Sequence, residues 1–247
     1  MLQRPFYKLQ RLFLDQLIDL EQELIIKDKQ YHYLINVLRL KVGDKFLIFN
    51  GKQGEYLAEI IEIKKKYLTI KIIQQTNSQP DKIDIIYCFA LLKHARLDYM
   101  VQKAVEMGAN ILQPILTQHT QISKVSLDKI RANAIEACEQ SGNLNVPLVR
   151  ELINFDKFLN NWNSEIPLIF CDETCFKENP LQKLIKMPKL KSVALLIGPE
   201  GGFSEQERKQ LRALPFVISI GLGSRILRAD TAAVAALTVI GLTVGDW

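Results

Sequence analysis

Residues 192–207, SVALLIGPEGGFSEQE, combine three structural signals in one short segment. Its apolar first part, residues 192–197, is typical of a buried strand, and two adjacent glycines then permit a tight turn. Ser204 and Glu207 follow at the spacing of a capping box, in which each side chain bonds to the other residue's backbone N–H at a helix start. The stretch therefore predicts a strand, a glycine turn and a capped helix, an arrangement suited to binding a ligand.

Two common nucleotide-binding motifs do not fit this region. A P-loop requires Lys and then Ser or Thr after its second glycine, but Phe203 and Ser204 stand there, and Glu200 adds a charge that repels phosphate. In GLGSRI, residues 221–226, Ile226 occupies the place of the third glycine of a dinucleotide fingerprint. A strand–helix turn without any ligand is the alternative that the local sequence leaves open.

From residue 83 onwards, strand-like and helix-like segments alternate along the chain. One predicted helix, residues 96–107, is ended by Gly108, and another, residues 126–140, begins at Ser126 and ends near Gly142. The apolar strand-like runs are residues 83–92, 110–116, 167–171, 192–197 and 216–222. This alternation predicts an α/β fold with a parallel sheet covered by helices.

Ligands of such sheets bind beyond the carboxyl ends of the strands. Residues 171–173, the glycine turn 198–202 and residues 221–225 each follow a predicted strand, so they are expected to meet at one rim of the sheet. A second notable stretch, LGSRILRADTAA, residues 222–233, leaves the last strand. Its arginines are suited to a polyanion or to a developing negative charge at a helix start.

The helix that follows this stretch has two candidate N-terminal caps, Asp230 and Thr231. The apolar run at residues 232–244 is shorter than the ~20 residues that span a bilayer, so it predicts a packed helix and no membrane partner. Because this helix is apolar on all sides, it needs cover on all sides, which favours a partner subunit.

The N-terminal part of the chain has a different pattern. Residues 29–39 predict a short helix with Asp28 as its N-cap. Three short strand-like runs follow, with little helical periodicity between them, and they predict a small antiparallel barrel-like domain: residues 45–49, 54–63 and 67–73. We therefore expect three segments: a barrel domain over 1–75, a linker over 76–82 and an α/β domain over 83–247.

Composition narrows the class of protein. Of the 247 residues, 48% are hydrophobic, which excludes a disordered chain. Residues 1–82 carry 14 Lys and Arg against 10 Asp and Glu, whereas residues 83–247 carry 18 against 17. This basic excess favours nucleic-acid binding by the smaller domain, with a solvated surface as the alternative.

The cysteines and the amino terminus bear on the compartment. Cys88, Cys138, Cys171 and Cys175 form no CxxC pair, which predicts reduced thiols and no metal site. The first residues lack the apolar core and cleavage site of a signal peptide. A cytoplasmic protein is therefore expected.

Four blocks of sequence together resemble a known family: residues 102–109 (QKAVEMGA), 136–147 (EACEQSGNLNVP), 195–207 (LLIGPEGGFSEQE) and 222–233 (LGSRILRADTAA). Their order and spacing are similar to those of the RsmE family of ribosomal RNA uridine N3-methyltransferases, in the SPOUT superfamily. The resemblance covers essentially the whole chain. It implies a SPOUT-type knotted parallel-sheet methyltransferase domain preceded by a PUA-like RNA-binding β-barrel. It also implies S-adenosylmethionine as cofactor, a homodimer, and N3-methyluridine in the decoding region of 16S rRNA as product, formed in the assembled or assembling small ribosomal subunit.

The chemistry of the expected reaction suggests roles for individual residues. Arg228 would stabilise negative charge on the uracil. Glu200 and Asp230 are the candidate bases for its N3 proton, with the fixing of an arginine or a loop as their alternative role. The cofactor would be bound by apolar side chains and by two glycine turns: Leu196, Ile197, Gly198, Pro199, Glu200, Gly201, Gly202, Ile220, Gly221, Leu222, Gly223, Leu227 and Arg228. The residues expected to contact RNA are Arg225, Arg39, Lys93 and Arg96, and for Lys93 and Arg96 a dimer contact or a solvated turn is the alternative.

The sequence departs from the usual family pattern at three positions. Asp230 stands where Glu is usual, and Asn143 and His119 stand where Arg is common. Two other functions remain as alternatives. One is a related SPOUT enzyme that modifies another RNA position, and the other is an RNA-binding or assembly factor without catalytic activity.

Overall fold

The structure, a computed structural model, describes residues 6, 8–81, 83–177, 179–188, 190–245 and 247. It divides into two compact units. Unit 1 comprises residues 1–81 and 138–146, and unit 2 comprises residues 82–137 and 147–247. The segment 138–146 thus groups with the N-terminal part of the chain, whereas the boundaries 1–75, 76–82 and 83–247 stay a prediction.

Unit 1 contains one five-stranded sheet and a short helical segment. Its elements are β1 (Arg11–Phe13), β2 (Glu23–Lys27), α1 (Asp28–His32), a π-helix (Tyr33–Val37), β3 (Lys45–Phe49), β4 (Glu55–Ile63) and β5 (Tyr67–Asn77). The strands lie in the order β1-β3-β4-β5-β2. The three strand-like runs expected from the sequence are confirmed as β3, β4 and β5.

The pairing in this sheet departs from the purely antiparallel prediction. β3, β4, β5 and β2 pair antiparallel, but β1 pairs parallel to β3. The chain between β1 and β3 contains β2 and both helices, which is long enough for the crossover that a parallel pair requires. Three register shifts between β4 and β5 increase the local twist, so the sheet curls into a half-barrel around an aliphatic and aromatic core.

The predicted N-cap of the first helix is wrong. α1 begins at Asp28 itself, and Lys27, in the N-cap position, is extended and makes no side-chain cap bond. The reason is that β2 runs directly into the helix, with the turn made at Asp28 by a φ of 52°. The helical segment then continues as the π-helix, which buries Leu34 in the unit 1 core.

Unit 2 alternates strands and helices, as the sequence predicts. Its elements are β6 (Asp84–Ala90), α2 (His94–Glu106), β7 (Ile111–Leu116), α3 (Leu127–Ser141), β8 (Leu148–Val149), β9 (Ile153–Asn154), α4 (Phe155–Asn160), β10 (Leu168–Cys171), a 3₁₀ turn (Glu173–Cys175), α5 (Pro180–Leu184), β11 (Ser192–Ile197), α6 (Glu205–Ala213), β12 (Val217–Ile220) and α7 (Ala229–Thr243). The last residues of α3 belong to unit 1.

The seven strands of unit 2 form one parallel sheet in the order β12-β10-β11-β6-β7-β8, with β9 also paired to β7. The predicted helix boundaries at Gly108 and Ser126 are confirmed. Gly108 has a φ of 92° and follows α2, and Ser126 Oγ accepts a hydrogen bond from the Lys129 N–H at the start of α3. Since β10, β11 and β12 are neighbours and parallel, the loops that follow them emerge at the same edge.

Among the helices of the described residues, none is both long and apolar enough to cross a bilayer.

Candidate active site

A cavity of about 540 Å³ lies at the carboxyl ends of β10, β11 and β12 in unit 2. Three chain segments contribute most of its lining: the residues after β10, the first glycine turn (residues 198–202) after β11, and the second glycine turn (residues 221–228) after β12. The three segments that the sequence places at one rim therefore do meet there. The lining residues are Arg96, Phe170, Cys171, Asp172, Glu173, Phe176, Ile197, Gly198, Pro199, Glu200, Gly202, Phe203, Arg208, Ile220, Leu222, Gly223, Ser224, Arg225, Ile226, Leu227, Arg228, Ala229 and Ala232.

The first glycine turn runs directly into α6 through the predicted capping box. Ser204 Oγ accepts from the Glu207 N–H at 3.3 Å, and Glu207 Oε2 accepts from the Ser204 N–H at 2.8 Å. The other carboxylate oxygen of Glu207 accepts from the Gln118 N–H at 2.8 Å, in the loop after β7. Glu207 is buried, so this one side chain fixes both the helix start and the neighbouring loop.

The two adjacent glycines of the first turn differ in their surroundings. Gly202 has a φ of 68°, in the left-handed region that favours glycine. Gly201 has no such φ, and a Cβ there would lie 3.2 Å from Cβ of His119. His119 Nδ1 lies 3.1 Å from the Gly201 carbonyl oxygen, so the space beside Gly201 is filled by the protein itself.

The second glycine turn is packed closely at one end and open at the other. A Cβ on Gly221 would lie 2.1 Å from the Cys175 carbonyl oxygen, so only glycine fits where the two backbones meet. Gly223 has a φ of 92° and open space where a side chain would point. The part of the turn that faces the cavity is therefore accessible backbone.

The predicted caps of α7 are wrong. The helix begins at Ala229, and Arg228 occupies the N-cap position with extended backbone and no side-chain cap bond. Asp230 and Thr231 therefore already lie in the first turn, where Asp230 Oδ1 accepts from the Thr231 N–H at 2.8 Å. A negative charge at that position still interacts favourably with the positive end of the helix dipole.

Charged side chains of both signs line the cavity. Arg225 and Arg228 come from the second turn, both exposed, and Arg96 comes from the first turn of α2. Arg96 Nη1 lies 3.6 Å from Oε1 of Glu200, which brings a predicted RNA contact and a predicted base together. The cavity thus joins apolar walls with a rim rich in guanidinium groups.

The remaining predicted site residues lie elsewhere. Leu196, Gly201, Gly221 and Asp230 are next to lining residues in sequence but do not line the cavity. Lys93 is exposed in the N-cap position of α2, and Arg39 belongs to unit 1. The roles assigned to all these residues stay predictions.

A polar cluster that was not predicted from the sequence lies between β10 and α6. Asp172 follows β10 and its side chain is fully buried. Its carboxylate accepts hydrogen bonds from Arg212 Nε at 2.9 Å and from the Thr174 N–H at 3.0 Å, and Arg208 Nη1 lies 3.3 Å away. The signal in the sequence was the pair of arginines four residues apart on one face of α6.

This cluster determines the charge state of Asp172. Burial by itself would raise the pKa of the carboxyl, but the hydrogen bonds from Thr174 and Arg212 outweigh that effect and hold its pKa below the usual value. Burial also raises the pKa of the neighbouring Cys171 thiol to about 12. Asp172 is therefore a charged group inside the wall of the cavity, and Cys171 is a neutral thiol.

Within the described part of the chain, no group of three or more His, Cys, Asp and Glu side chains is arranged to hold a metal ion. None of the four cysteines, all of which lie within the described residues, forms a disulfide bond.

Comparison with known families identifies the class of protein. Residues 79–241 match the family model described as an RNA methyltransferase domain, and residues 26–73 match the RNA methyltransferase PUA domain. The fold is the SPOUT-type knotted parallel-sheet domain preceded by a PUA-like half-barrel, as the sequence predicts.

Two kinds of relative narrow the class to a family. The chain is similar to ribosomal RNA small subunit methyltransferase E of Rickettsia conorii, with 31% identity over 218 residues, 88% of each protein. It is similar to that of Buchnera aphidicola, with 29% identity over 97% of this chain and 96% of the relative. A crystal structure of the Neisseria gonorrhoeae protein of that name, bound to S-adenosylmethionine, superposes with a TM-score of 0.87 at 27% identity, covering 97% of this chain and 99% of the other. The chain belongs to the ribosomal RNA small subunit methyltransferase E (RsmE) family.

Proposed function

We propose that this protein uses S-adenosylmethionine to methylate N3 of a uridine in the decoding region of 16S rRNA. The observation that carries the proposal is that the two stretches most similar to the family, residues 195–207 and 222–233, contribute their turns to one cavity. Family membership and the cofactor bound to the Neisseria relative support the same conclusion.

The cavity fits this cofactor in size and chemistry. Its volume of about 540 Å³ lies within the range of small-molecule sites, and Ile197, Leu222 and Leu227 give it apolar walls for an adenosyl group. Backbone at Gly223 is accessible because this residue carries no side chain and the space where one would point is open. Charged side chains of both signs at the rim suit the zwitterionic amino-acid end of the molecule. The residues proposed to bind the cofactor are those of the predicted set that line the cavity: Ile197, Gly198, Pro199, Glu200, Gly202, Ile220, Leu222, Gly223, Leu227 and Arg228.

S-adenosylmethionine, when bound, supplies a methyl group from its sulfonium. The residues of this chain would then have to take the proton from uracil N3 and stabilise the negative charge that spreads onto O2 and O4. Arg228, which lines the cavity, is assigned the second task because a preorganised cation is most effective where charge develops. Glu200 lines the cavity and Asp230 lies two residues beyond Arg228, so these are the candidate bases.

The RNA would be bound by both units. Arg225 and Arg96 at the cavity rim, with Lys93 nearby in sequence, would contact the phosphates around the target uridine. Arg39 would do so from unit 1, whose sequence matches the PUA domain of RNA methyltransferases. Because the substrate would be ribosomal RNA in an assembled or assembling small subunit, the protein would act in the cytoplasm.

A homodimer is part of this proposal. α5 and α7 pack against each other. Leu181 of α5, Ile185 just after the end of α5, and Leu242 of α7 are exposed aliphatic side chains, the last of them 60% exposed. Exposed apolar groups on packed neighbouring helices favour an interface with a second copy of the chain.

The experiment that tests the function is mass mapping of methylated nucleosides in 16S rRNA from cells with and without this protein. We expect one N3-methyluridine, in the decoding region, to disappear when the protein is absent. If this N3-methyluridine remained and a different methylated nucleoside disappeared, the assignment would be contradicted. Calorimetry with S-adenosylmethionine separates an enzyme from an RNA-binding factor, because such a factor has no need of the cofactor.

A further inference from the structure

The wall of the cavity between the two glycine turns is formed by residues 171–176, which we call the β10 wall. Cys171, Asp172, Glu173 and Phe176 of this segment line the cavity. β10 lies between β11 and β12 in the sheet, so the wall emerges between the strands that lead into the two turns. Any shift of this segment would therefore change the shape of the cavity between the two glycine turns.

The β10 wall lies directly against the second glycine turn. The Asp172 N–H donates to the Ile220 carbonyl at 2.8 Å, which continues the β10–β12 pairing to the start of that turn. Gly221 meets the Cys175 backbone so closely that a Cβ would not fit. The position of the second turn thus depends on the position of the wall.

The same wall is tied to the first glycine turn through α6. Arg208 donates from Nε to the Phe203 carbonyl at 3.1 Å, at the end of the first turn, and it pairs with Asp172 and Glu173 through its other nitrogens. Arg212, one helical turn further along, donates to Asp172 Oδ2 from Nε at 2.9 Å and from Nη2 at 2.6 Å.

One carboxylate therefore connects all three segments. Asp172 also organises its own loop, because Oδ1 accepts from both the backbone N–H and the hydroxyl of Thr174. A buried ion pair is a poor source of stability, since an apolar replacement of similar volume is often at least as stable. What such a pair does supply is a defined geometry, because it requires its partners in one arrangement.

We propose that Asp172 is a positioning residue for cofactor binding, whose bonds to Arg212, Arg208 and Thr174 hold the β10 wall in register with both glycine turns. The inference rests on the proposed function, since it assigns the cavity to S-adenosylmethionine. Asp172 acts through the wall and the turns, and its fully buried carboxylate is not a group that reacts.

The test is calorimetric binding of S-adenosylmethionine to the full chain and to three variants, below their melting temperatures. Asp172→Asn keeps the shape of the side chain but removes its charge. We expect the Kd of this variant for S-adenosylmethionine to rise about tenfold or more, because small displacements of the groups that contact a ligand have large effects. Arg212→Ala should give a similar rise. Arg212→Lys should restore part of the affinity, because an ammonium keeps the charge but lacks the planar two-pronged contact.

The matched control is Asp128→Asn, which removes an exposed carboxylate paired with Arg131 at 2.8 Å in α3, outside the cavity lining. Its Kd should equal that of the unaltered protein. A purely structural role would lower the melting temperature of the Asp172 and Arg212 variants while leaving Kd unchanged, and that result would overturn the proposal. If Asp172→Asn does not fold, the two Arg212 variants decide between the same outcomes. Failure of the unaltered protein to bind S-adenosylmethionine would instead overturn the proposed function, and this inference with it.

Discussion

Each unit of the molecule buries a carboxylate among hydrogen-bond donors, but the two carboxylates occupy different places in their folds. In unit 1, Glu55 at the start of β4 accepts from Arg11 at 2.7 Å, Thr76 at 2.7 Å and Asn77 at 2.6 Å. These partners lie on β1 and β5, so Glu55 joins strands of one sheet. In unit 2, Asp172 joins a loop to a helix in the wall of a cavity.

A buried carboxylate paired with arginine has a different effect in each of these two positions. In unit 1, the buried pair of Glu55 and Arg11 joins strands of the sheet, and neither residue lines the cavity. Beyond the carboxyl ends of parallel strands, where loops converge on a ligand, a buried ion pair sets the geometry of the site. We therefore expect substitution of Glu55 to change stability alone and substitutions around the cavity to change function.

The largest effect is expected from Glu55→Gln. It leaves Arg11, whose side chain is 12% exposed, without its partner, so the free energy of unfolding should fall by about 3–5 kcal/mol. Chemical denaturation followed by circular dichroism measures this loss, and calorimetry should show unchanged affinity for S-adenosylmethionine in the folded variant. Glu59→Gln on the same strand is the control, because its exposed pair with Lys45 at 3.4 Å contributes only about 0–1 kcal/mol. A loss of cofactor affinity in Glu55→Gln would contradict the expectation that Glu55 affects stability alone.

The second prediction concerns chemistry rather than folding. Arg228→Ala should lower kcat by about 10²–10³ while the affinity for S-adenosylmethionine changes little, because the removed cation acts on charge that develops in the transition state. Steady-state kinetics with both substrates measures this, and Arg228→Lys should restore part of the rate.

Arg225→Ala is the matched control for Arg228. Both arginines are exposed on the second glycine turn, but Arg225 is assigned to RNA binding. Arg225→Ala should therefore raise KM for RNA and leave kcat unchanged. If Arg228→Ala behaved in the same way, Arg228 would be a binding residue and not a catalytic one.

The sequence predicts well those features that depend on neighbouring residues. The strands of both units follow from their apolar runs, and the capping box of Ser204 and Glu207 follows from a spacing of three. The convergence of the loops after β10, β11 and β12 follows from the rule for parallel sheets. These are local or topological regularities, and they sufficed to locate the cavity.

Features that depend on contacts between residues far apart in the sequence were either not predicted or predicted incorrectly. Asp172 and Arg212 are 40 residues apart, and nothing in their spacing indicates that they pair. The parallel pairing of β1 and the grouping of residues 138–146 with unit 1 likewise depend on contacts between remote segments. The caps predicted at Asp28 and Asp230 failed for another reason: residue type favours a cap, but the backbone of the preceding residue determines where the helix begins.

The third prediction compares two helix caps within unit 2. Ser204→Ala and Ser126→Ala each remove a hydroxyl that accepts a backbone hydrogen bond at a helix start, so each should lower the free energy of unfolding by about 1 kcal/mol. Only Ser204 adjoins the first glycine turn, so only Ser204→Ala should also raise the Kd for S-adenosylmethionine. Denaturation and calorimetry on the same samples measure both effects. Equal Kd values for the two variants would show that the turn keeps its shape without the cap.

The smallest effect is expected inside the first glycine turn, where two adjacent glycines provide their own control. Gly202→Ala places a Cβ on a residue with a φ of 68° and 3.3 Å from Arg208 Nη2, so it should cost about 1 kcal/mol and weaken cofactor binding by about tenfold at most. Residue 201 has no left-handed φ, and the Cβ added by Gly201→Ala would meet only the side chain of His119, which is exposed and has room to shift. Calorimetry should therefore find its Kd close to that of the unaltered protein. If Gly201→Ala weakened binding more than Gly202→Ala, the contact with His119 would matter more than the backbone conformation of Gly202, and the turn would be held from outside the cavity.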